Sequence, residues 1–421
     1  MKKKYLNRLI ESEIERRLKS VGAISVTGPK FCGKTTTSER FAKSLVKLNT
    51  NSMINIAKLE PRAMLMGETP RLIDEWQTVP ELWDETRALI DERQEFGQII
   101  LTGSSTPADK SDIHHSGAGR IATLKMRPMS LYESQESKGI VSLSQLFDNP
   151  NTSIFEQNED YSLTDTAFLI CRGGWPLSIG LKQDIALDVT RNYYEGLFNF
   201  ENSENENFRN KKPEVMRMIL RAYARNISSE ASYKTIVADV VANENRSMND
   251  RTFDEYADAL RDLYIIEDLD AWNPNLRSKA VVRTTATRHF IDTSIACAAL
   301  GITPQDFMRD TNSFGLFFED MAVRDLRVYA MALHGDLRHY RDSRGLECDA
   351  VMHLADGRWA MIEVKLGGDK LIEEGAQNML KIKEDIANAK APEFMMIITA
   401  TGPAYRHKDG VYVVPINCLK P

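Results

Sequence analysis

Residues 28–35 read Gly-Pro-Lys-Phe-Cys-Gly-Lys-Thr, and this stretch constrains the fold of the chain more than any other. It matches the phosphate-binding loop pattern GxxxxGK[ST], which requires a strand before it and a helix after it. The apolar run 23–27 predicts that strand, and the residues from Lys34 to about Val46 predict an amphipathic helix. We therefore expect an α/β fold whose amino-terminal part is a parallel sheet.

The residues of this loop have defined chemical tasks. Gly28 and Gly33 let the backbone amides turn toward phosphate oxygens, and the helix start adds the positive end of its dipole. Lys34 is placed to reach the β- and γ-phosphates and Thr35 to hold Mg²⁺. The predicted cofactors are therefore ATP and Mg²⁺. The expected nucleotide contacts are Gly28, Pro29, Lys30, Phe31, Cys32, Gly33, Lys34, Thr35, Thr36 and Thr102.

Two further strands end in polar residues. The run 71–74 ends in Asp74, expected to hold a Mg²⁺ water, and Glu75 follows, placed to polarise an attacking water. The run 98–101 is followed by Thr102 and Ser104, whose hydroxyls are placed to sense a γ-phosphate. Because parallel strands share one carboxyl edge, these side chains are expected to meet the phosphate-binding loop.

Arg120 follows a glycine-containing segment. It is a candidate arginine finger for the same or a neighbouring subunit. The alternative is an ordinary surface arginine after a flexible loop.

These motifs resemble the AAA-type P-loop ATPases of prokaryotes, and in particular a large family in which the loop is followed by Asp-Glu, TGSS, GR and P-S-x-x-E. The matching residues are Asp74-Glu75, Thr102 to Ser105, Gly119-Arg120 and Glu133. The resemblance covers about residues 1–200. It implies ATP hydrolysis, is consistent with a homo-oligomer, and implies a carboxy-terminal module of poorly known function.

The bulk composition narrows the function further. A net charge of −6 over 421 residues excludes general nucleic-acid binding, so any such site must be local. We find no apolar run near the ~18 residues of a membrane span, and the basic start lacks a signal-peptide core. The five cysteines are scattered without a CxxC pair, as is typical of reduced thiols. We expect a cytoplasmic protein without a membrane partner.

The middle of the chain predicts mainly helices. Residues 143–165 are polar and indicate a loop, and a helical lid is predicted to follow the ATPase core. A junction is predicted at 201–212. Beyond it, three helices and a short β-wing favour a winged-helix-like module. Its third helix carries Arg251, Asp254, Glu255, Asp258, Arg261 and Asp262. That excess of acids favours a contact role over DNA binding.

Near the carboxy terminus, the run 359–365 alternates like a strand and places Glu363 and Lys365 on one face. The linker 355–357 suits a three-residue hairpin with Gly357 in the left-handed conformation. That register places Asp349 on the preceding strand opposite Glu363, and leaves the other face apolar.

Two facing carboxylates cost stability unless a cation binds them. Mg²⁺ or Mn²⁺ suits such a site, with Asp349 and Glu363 as ligands and Glu319 as a third carboxylate from the preceding helix. Lys365 is expected to orient or deprotonate a water, and Gln377 lies on the following helix.

The order of helix Glu319, strand Asp349, hairpin, and strand Glu363-x-Lys365 resembles the PD-(D/E)xK nuclease superfamily over about residues 290–421. One departure is Cys348, which stands where a proline is usual. The resemblance implies a restriction-endonuclease-like α/β domain that cleaves or binds DNA or RNA. A nearby cluster either holds phosphates or forms a solvated turn. It consists of Arg338, His339, Tyr340, Arg341 and Arg344.

The sequence thus predicts four parts. They are a P-loop ATPase core (1–150), a helical lid (151–205), a winged-helix-like module (206–285) and a PD-(D/E)xK-like domain (286–421). The predicted catalytic residues are Glu75, Arg120, Glu363 and Lys365. The functional hypothesis is an ATPase coupled to cleavage or binding of nucleic acid. The alternative is an ATP-driven regulatory or defence switch, or a scaffold, whose nuclease-like domain is inactive.

Overall fold

The computed structural model describes residues 4–105, 116–158, 160–198, 211–244, 246–273, 285–386 and 390–421, so most of the junction predicted at 201–212 lies outside it. The helices are α1 (Ile10–Leu18), α2 (Lys34–Glu39), α3 (Asn51–Leu59), α4 (Pro61–Met64), α5 (Glu81–Arg93), α6 (Leu143–Asp148), α7 (Leu163–Arg172), α8 (Gln183–Gly196), α9 (Pro213–Arg225), α10 (Tyr233–Glu244), α11 (Asp250–Asp262), α12 (Thr293–Leu300), α13 (Pro304–Phe307), α14 (Thr311–Ala332) and α15 (Asp369–Asp385). The strands are β1 (Ala23–Thr27), β2 (Ser44–Lys47), β3 (Arg71–Asp74), β4 (Ile99–Gly103), β5 (Ile121–Lys125), β6 (Val141–Ser142), β7 (Phe155–Glu156), β8 (Gly335–Arg341), β9 (Glu347–Leu354), β10 (Trp359–Lys365), β11 (Met395–Thr399), β12 (Ala404–Arg406), β13 (Tyr412–Pro415) and β14 (Leu419–Lys420).

The first five strands form the expected parallel sheet, in the order β2-β3-β4-β1-β5. Strand β4 lies between β1 and β3, with Ile100 beside Ile24 and Leu101 beside Ile73. These central strands are buried on both faces, as parallel strands between helical layers require. All five strands therefore end at one edge, where the phosphate-binding loop begins.

Two local predictions were wrong. Helix α2 ends at Glu39, not near Val46, because Ser44–Lys47 pairs in parallel with β3 and places Val46 against the core. The supposed loop at 143–165 contains α6, since the Ser142 hydroxyl accepts a hydrogen bond from the Gln145 amide. Leu146 and Phe147 of α6 are buried. In both cases, long-range packing outweighs local preference.

The middle of the chain is helical, as predicted. Helices α9, α10 and α11 occupy the three predicted positions. In the described residues after α11 the strand-like pairing consists of single bridges, such as Ile266 with Phe290 and Leu269 with Thr287, and part of the predicted β-wing lies outside the described ranges. Helix α7 packs against α12, α13 and α14, so the helices form one continuous apolar core.

The second sheet has the order β7-β12-β13-β11-β10-β9-β8. Strands β8, β9 and β10 are antiparallel neighbours, and β11 is parallel to β10. The predicted hairpin is confirmed: the Leu354 amide donates to the Arg358 carbonyl at 2.8 Å, and Gly357 has a φ of +86°. Ala350 lies opposite Ile362, which is the predicted register.

The two faces of this sheet are covered by different helices. Ile362 and Ala350 belong to the same apolar cluster as Leu326 of α14, whereas Met361 packs with Ile372 and the other apolar residues of α15. The alternation read from the sequence is therefore confirmed. Among the helices in the described ranges, none combines the length and apolarity needed to cross a bilayer.

Candidate functional site

The phosphate-binding loop owes its shape to two glycines. Gly28 has a φ of +149°, and a Cβ added there would lie 2.0 Å from the carbonyl oxygen of Met126. Gly33 has a φ of +105° immediately before α2. Between them, Phe31 also adopts a positive φ and is largely exposed, while Cys32 is buried. The curled backbone expected from the motif is present.

The side chains of Lys34 and Thr35, the last two residues of the motif, make their hydrogen bonds at this loop. The Lys34 ammonium is buried and donates hydrogen bonds to the carbonyls of Gly28 (2.9 Å) and Pro29 (2.8 Å). The Thr35 hydroxyl donates to Oδ1 of Asp74 at 2.7 Å. The Thr102 hydroxyl donates to the same oxygen at 2.6 Å. The start of α2 and the end of β4 thus converge on the carboxylate at the end of β3.

Glu75 occupies a conformation that non-glycine residues rarely adopt, with a φ of +61°. This turn points its carboxylate toward the next strand end, where Oε2 accepts a hydrogen bond from the Ser104 hydroxyl at 2.8 Å. The Gln77 amide donates to the same oxygen. The structure therefore brings Glu75 and Ser104 together beside Asp74, as the sequence predicted.

Arg120 lies apart from this group. Its Nε donates to Oδ1 of Asp91 on α5 at 2.7 Å, and its side chain is 48% exposed. Within this chain the guanidinium is an exposed ion-pair partner.

Sequence reasoning missed Arg8, which precedes α1. Its buried guanidinium donates to the Cys32 carbonyl of the loop at 2.7 Å and to Glu133 at 3.0 Å. Glu133 also accepts the amides of Leu9 and Ser130, both at 2.8 Å. No local pattern marks Arg8, because its partners lie 24 and 125 residues away.

A second missed contact comes from the segment after α7. A Cβ added at Gly33 would lie 3.7 Å from Cγ of Pro176, so this segment reaches the loop. Beside it, the ring of Phe31 meets the ring of Tyr193 edge-on, with centroids 6.2 Å apart. The helical segment therefore lines one side of the loop.

The second predicted site forms where β9 and β10 separate. Lys365 Nζ lies 2.9 Å from Oε1 of Glu363 and 3.7 Å from Oδ2 of Asp349. The strand ladder ends at Ile362, and the Asp349 carboxylate then accepts the Val364 amide at 2.7 Å. The two carboxylates and the lysine are thus assembled as predicted.

The electrostatics of this group are unusual. Burial, and then the neighbouring Asp349 carboxylate, raise the pKa of Glu363 to about 8, although Lys365 opposes this. Burial and the same two carboxylates raise the pKa of Glu319 well above its usual range, which places Glu319 of α14 in the group's field. Oε2 of Glu363 is buried without a hydrogen-bond partner. Three carboxyl groups and one ammonium are thus concentrated in a partly enclosed site, and two of the carboxyls favour the protonated form.

The other residues predicted near this site are arranged differently. Gln377 is exposed and donates to Glu373 on its own helix. The basic cluster is already paired: Arg338 with Asp336, Arg341 with Glu230 and Glu347, and Arg344 with Asp342 and Asp385. His339 and Tyr340 are buried in β8. The three arginines of the cluster are thus engaged in ion pairs, with Arg338 and Arg344 exposed, whereas His339 and Tyr340 are removed from solvent.

Three family models match successive parts of the chain. Residues 20–135 match a model described as an AAA domain. Residues 163–306 and 314–419 match two domains of unknown function, DUF8612 and DUF4143. Together with the strand order and the loop, the first match supports a P-loop ATPase domain of AAA type over residues 20–135.

Comparisons with whole proteins find two uncharacterised relatives in sequence and two ATPases among the solved structures. Two uncharacterised proteins, from Mycobacterium bovis and Mycobacterium tuberculosis, are each 22% identical over 360 residues, covering 84% of this chain and 72% of theirs. A Walker-type ATPase of Pyrococcus abyssi has a TM-score of 0.42 at 14% identity, covering 70% of this chain and 96% of its own. A signal-transduction ATPase with a tetratricopeptide repeat sensor from Pyrococcus horikoshii has a TM-score of 0.27 at 11% identity. The match covers 78% of this chain and 47% of that protein.

Proposed function

We propose that this protein is a Mg²⁺-dependent ATPase whose nucleotide state controls a PD-(D/E)xK-like domain acting on DNA or RNA. The observation that carries the proposal is the assembly of Asp349, Glu363 and Lys365 on the same chain as a complete phosphate-binding loop. In each group the fold brings side chains from separate elements within hydrogen-bonding or ion-pair distance.

The residues at the loop fit a magnesium nucleotide. Two hydroxyls and one carboxylate, from Thr35, Thr102 and Asp74, offer the hard oxygen donors that Mg²⁺ takes directly or through water. When bound, the ion neutralises phosphate charge. Lys34 exchanges its two carbonyl partners for phosphate oxygens, and Glu75 holds the attacking water. Arg8 fixes the loop through the Cys32 carbonyl.

The residues at the second site also fit a divalent cation. The unpartnered Oε2 of Glu363 and the carboxylate of Asp349 are hard ligands without sufficient compensation from one lysine. Such an ion polarises a phosphodiester when bound. Lys365 orients the attacking water. The order α14, β8, β9, β10, α15, β11 supports a restriction-endonuclease-like fold for this part.

Helix α14 supplies a physical connection between the two sites. The Asp325 carboxylate accepts a hydrogen bond from the Leu131 amide at 2.8 Å. Leu131 is two residues from Glu133, the partner of Arg8 at the phosphate-binding loop. Six residues earlier on the same helix, Glu319 lies in the field of Asp349. A rigid rise of roughly 1.5 Å per residue places these two positions about 9 Å apart. A shift of α14 driven at Asp325 therefore moves the carboxylate of Glu319.

A switch or scaffold with an inactive nuclease-like domain is the competing proposal. One observation favours it: the described arginines 338, 341 and 344 are all held in ion pairs, so this face offers a polyanion little unpaired positive charge. The winged-helix-like segment is then a protein-contact module, as its acidic α11 suggests.

A cleavage assay separates the two. The full chain is incubated with linear, circular and single-stranded DNA and with RNA, in Mg²⁺ or Mn²⁺, with and without ATP. The proposal predicts cleavage that Lys365→Ala abolishes while ATP turnover persists. The exposed Lys370→Ala is the matched control and keeps both activities.

Glu75→Gln then tests coupling, since it blocks ATP turnover and leaves the second site intact. Altered cleavage in this variant supports nucleotide control. If no nucleic acid is cleaved under any condition while ATP is still hydrolysed, the nuclease proposal is wrong and the switch or scaffold is favoured.

A further inference from the structure

The turn between β12 and β13 presents two side chains toward α15. His407 and Asp409 lie in the turn, and Glu373 lies in the first half of the helix. One ligand atom from each of the three lies within 4.8 Å of the other two. These residues belong neither to the nucleotide site nor to the group around Glu363.

The turn itself is fixed by its backbone. The His407 amide donates to the Val411 carbonyl at 2.8 Å, and the Gly410 amide donates to the His407 carbonyl at 2.9 Å. Gly410 has a φ of +84°, a conformation suited to glycine. The backbone that carries His407 and Asp409 is therefore fixed by the fold, which lowers the ordering cost of binding a ligand there.

Two buried atoms in this group lack the partners that burial demands. Nδ1 of His407 and Oδ2 of Asp409 are shielded from solvent, and neither makes a hydrogen bond, although they are only 3.2 Å apart. A buried acceptor without a partner costs about 1–3 kcal/mol. A cation held between them would satisfy both atoms.

The distances and the donor types indicate which cation fits. Nδ1 of His407 lies 3.2 Å from Oδ2 of Asp409, and Glu373 offers a carboxylate oxygen to the same group. Four-coordinate Zn²⁺, with bonds of about 2.1 Å, separates its ligand atoms by about 3.4 Å. One imidazole nitrogen with two carboxylates suits Zn²⁺, whereas Mg²⁺ and Ca²⁺ prefer oxygen ligands alone. We propose that Glu373, His407 and Asp409 bind one Zn²⁺ ion, with water completing the coordination.

The position of Glu373 gives this ion a structural task. Two residues further along α15, a Cβ added at Gly375 would lie 3.4 Å from Cγ of Glu363, so the helix backbone rests directly on the second site. Zinc would pin this part of α15 to the β12–β13 turn. Lys408, which is mostly exposed and lies 3.4 Å from Glu373, is displaced as the carboxylate turns to the metal.

The test is a zinc titration of the full chain after chelation and desalting, with millimolar Mg²⁺ present to occupy oxygen-only sites. Calorimetry is expected to show one Zn²⁺ per chain, and zinc is expected to raise the thermal midpoint. Co²⁺ added in place of zinc is expected to give the visible absorption of a four-coordinate nitrogen and oxygen site.

His407→Gln and Asp409→Asn are each expected to weaken zinc binding by about 100-fold or more, the upper range for lost metal-site interactions. His353→Gln, on β9, is the matched control. Asp349→Asn should also retain zinc, which separates this site from the proposed nuclease site. No zinc uptake by the wild type, or zinc affinity equal to that of the wild type in both His407→Gln and Asp409→Asn, would overturn the proposal.

Discussion

At the residue scale, Asp74 does most to organise the nucleotide site, because hydroxyls from the start of α2 and the end of β4 donate to one of its oxygens. Asp74→Asn keeps an acceptor for those hydroxyls but removes the charge that a magnesium nucleotide needs. We expect ATP turnover to fall by about 100-fold or more, with little change in the thermal midpoint.

Steady-state ATPase assays and thermal unfolding measure the two effects. Asp188→Asn, an exposed position on α8, is the control for the same chemical change. Full turnover in Asp74→Asn would contradict the role assigned to this carboxylate.

The raised pKa of Glu363 leads to a prediction about how the free energy of unfolding depends on pH. Because its pKa in the folded chain is raised to about 8, the folded state holds a proton that the unfolded state releases near pH 4.5. Linkage then requires the free energy of unfolding to fall as pH rises from about 4.5 toward 8. Glu363→Gln removes this loss. Without divalent cations at pH 8, we expect it to stabilise the protein by about 1 kcal/mol or more, the equivalent of one pKa unit.

Urea unfolding in chelator at pH 5, 6.5 and 8 measures this difference. Glu347→Gln, on the same pair of strands but exposed, should leave the pH dependence unchanged. If the free energy of unfolding depends on pH equally in the wild type and in Glu363→Gln, the carboxyl of Glu363 does not destabilise the fold as pH rises.

At the element scale, strand β8 is attached to the helical middle through His339. Its Nε2 donates to the Thr285 carbonyl at 2.9 Å, and its backbone bonds to Asp270 and Trp272. Burial lowers the pKa of His339 to about 4. The charged or titratable groups facing it are Glu230, Asp270, His289 and Arg341.

A depressed histidine pKa destabilises the fold in acid. Above about pH 6.5 both states are neutral at this residue, but below it only the unfolded state takes up the proton. We expect the free energy of unfolding to fall by up to about 1.4 kcal/mol per pH unit between pH 6.5 and 4 from this residue alone. His339→Gln should flatten that slope in urea unfolding, whereas the exposed His334→Gln should not. An unchanged slope would locate the acid sensitivity elsewhere.

The elements show which kinds of information the sequence contains. The β9–β10 hairpin was predictable because loop length and alternation are local and leave one register with an apolar face. The convergence on Asp74 was predictable because strand ends share an edge. The early end of α2 could not be predicted from the sequence, because it depends on the pairing of β2 with β3. The Arg8–Glu133 pair could not be predicted either, because it joins residues 125 positions apart.

At the scale of the whole molecule, Glu267 is the point where three parts of the chain meet. Its carboxylate accepts hydrogen bonds from Lys125 at 2.7 Å and from Arg127 at 2.8 Å, both at the end of the parallel sheet. Arg327 of α14 lies 3.4 Å away. Burial alone would raise the pKa of Glu267, but these three cations hold it well below its usual range.

Removing this charge should loosen the assembly without touching either proposed site. Glu267→Gln leaves three cations facing each other with one neutral partner. Since breaking a buried pair costs roughly 3–5 kcal/mol, we expect a loss of about 3 kcal/mol in the free energy of unfolding at pH 7. Nucleotide affinity should stay within about threefold, because Glu267 does not contact the loop.

Calorimetry and urea unfolding, with the exposed Glu255→Gln on α11 as the control, measure the loss. Because the pKa of Glu267 is depressed, its stabilisation is complete above about pH 4.5 and is lost as pH falls further. The gap between wild type and Glu267→Gln should therefore close in acid. An unchanged unfolding free energy at pH 7 would mean that the ion pairs of Glu267 add nothing to the connection between the sheet and α14. Coupling between the two sites would then have to pass through Asp325 and Leu131 without electrostatic support from Glu267.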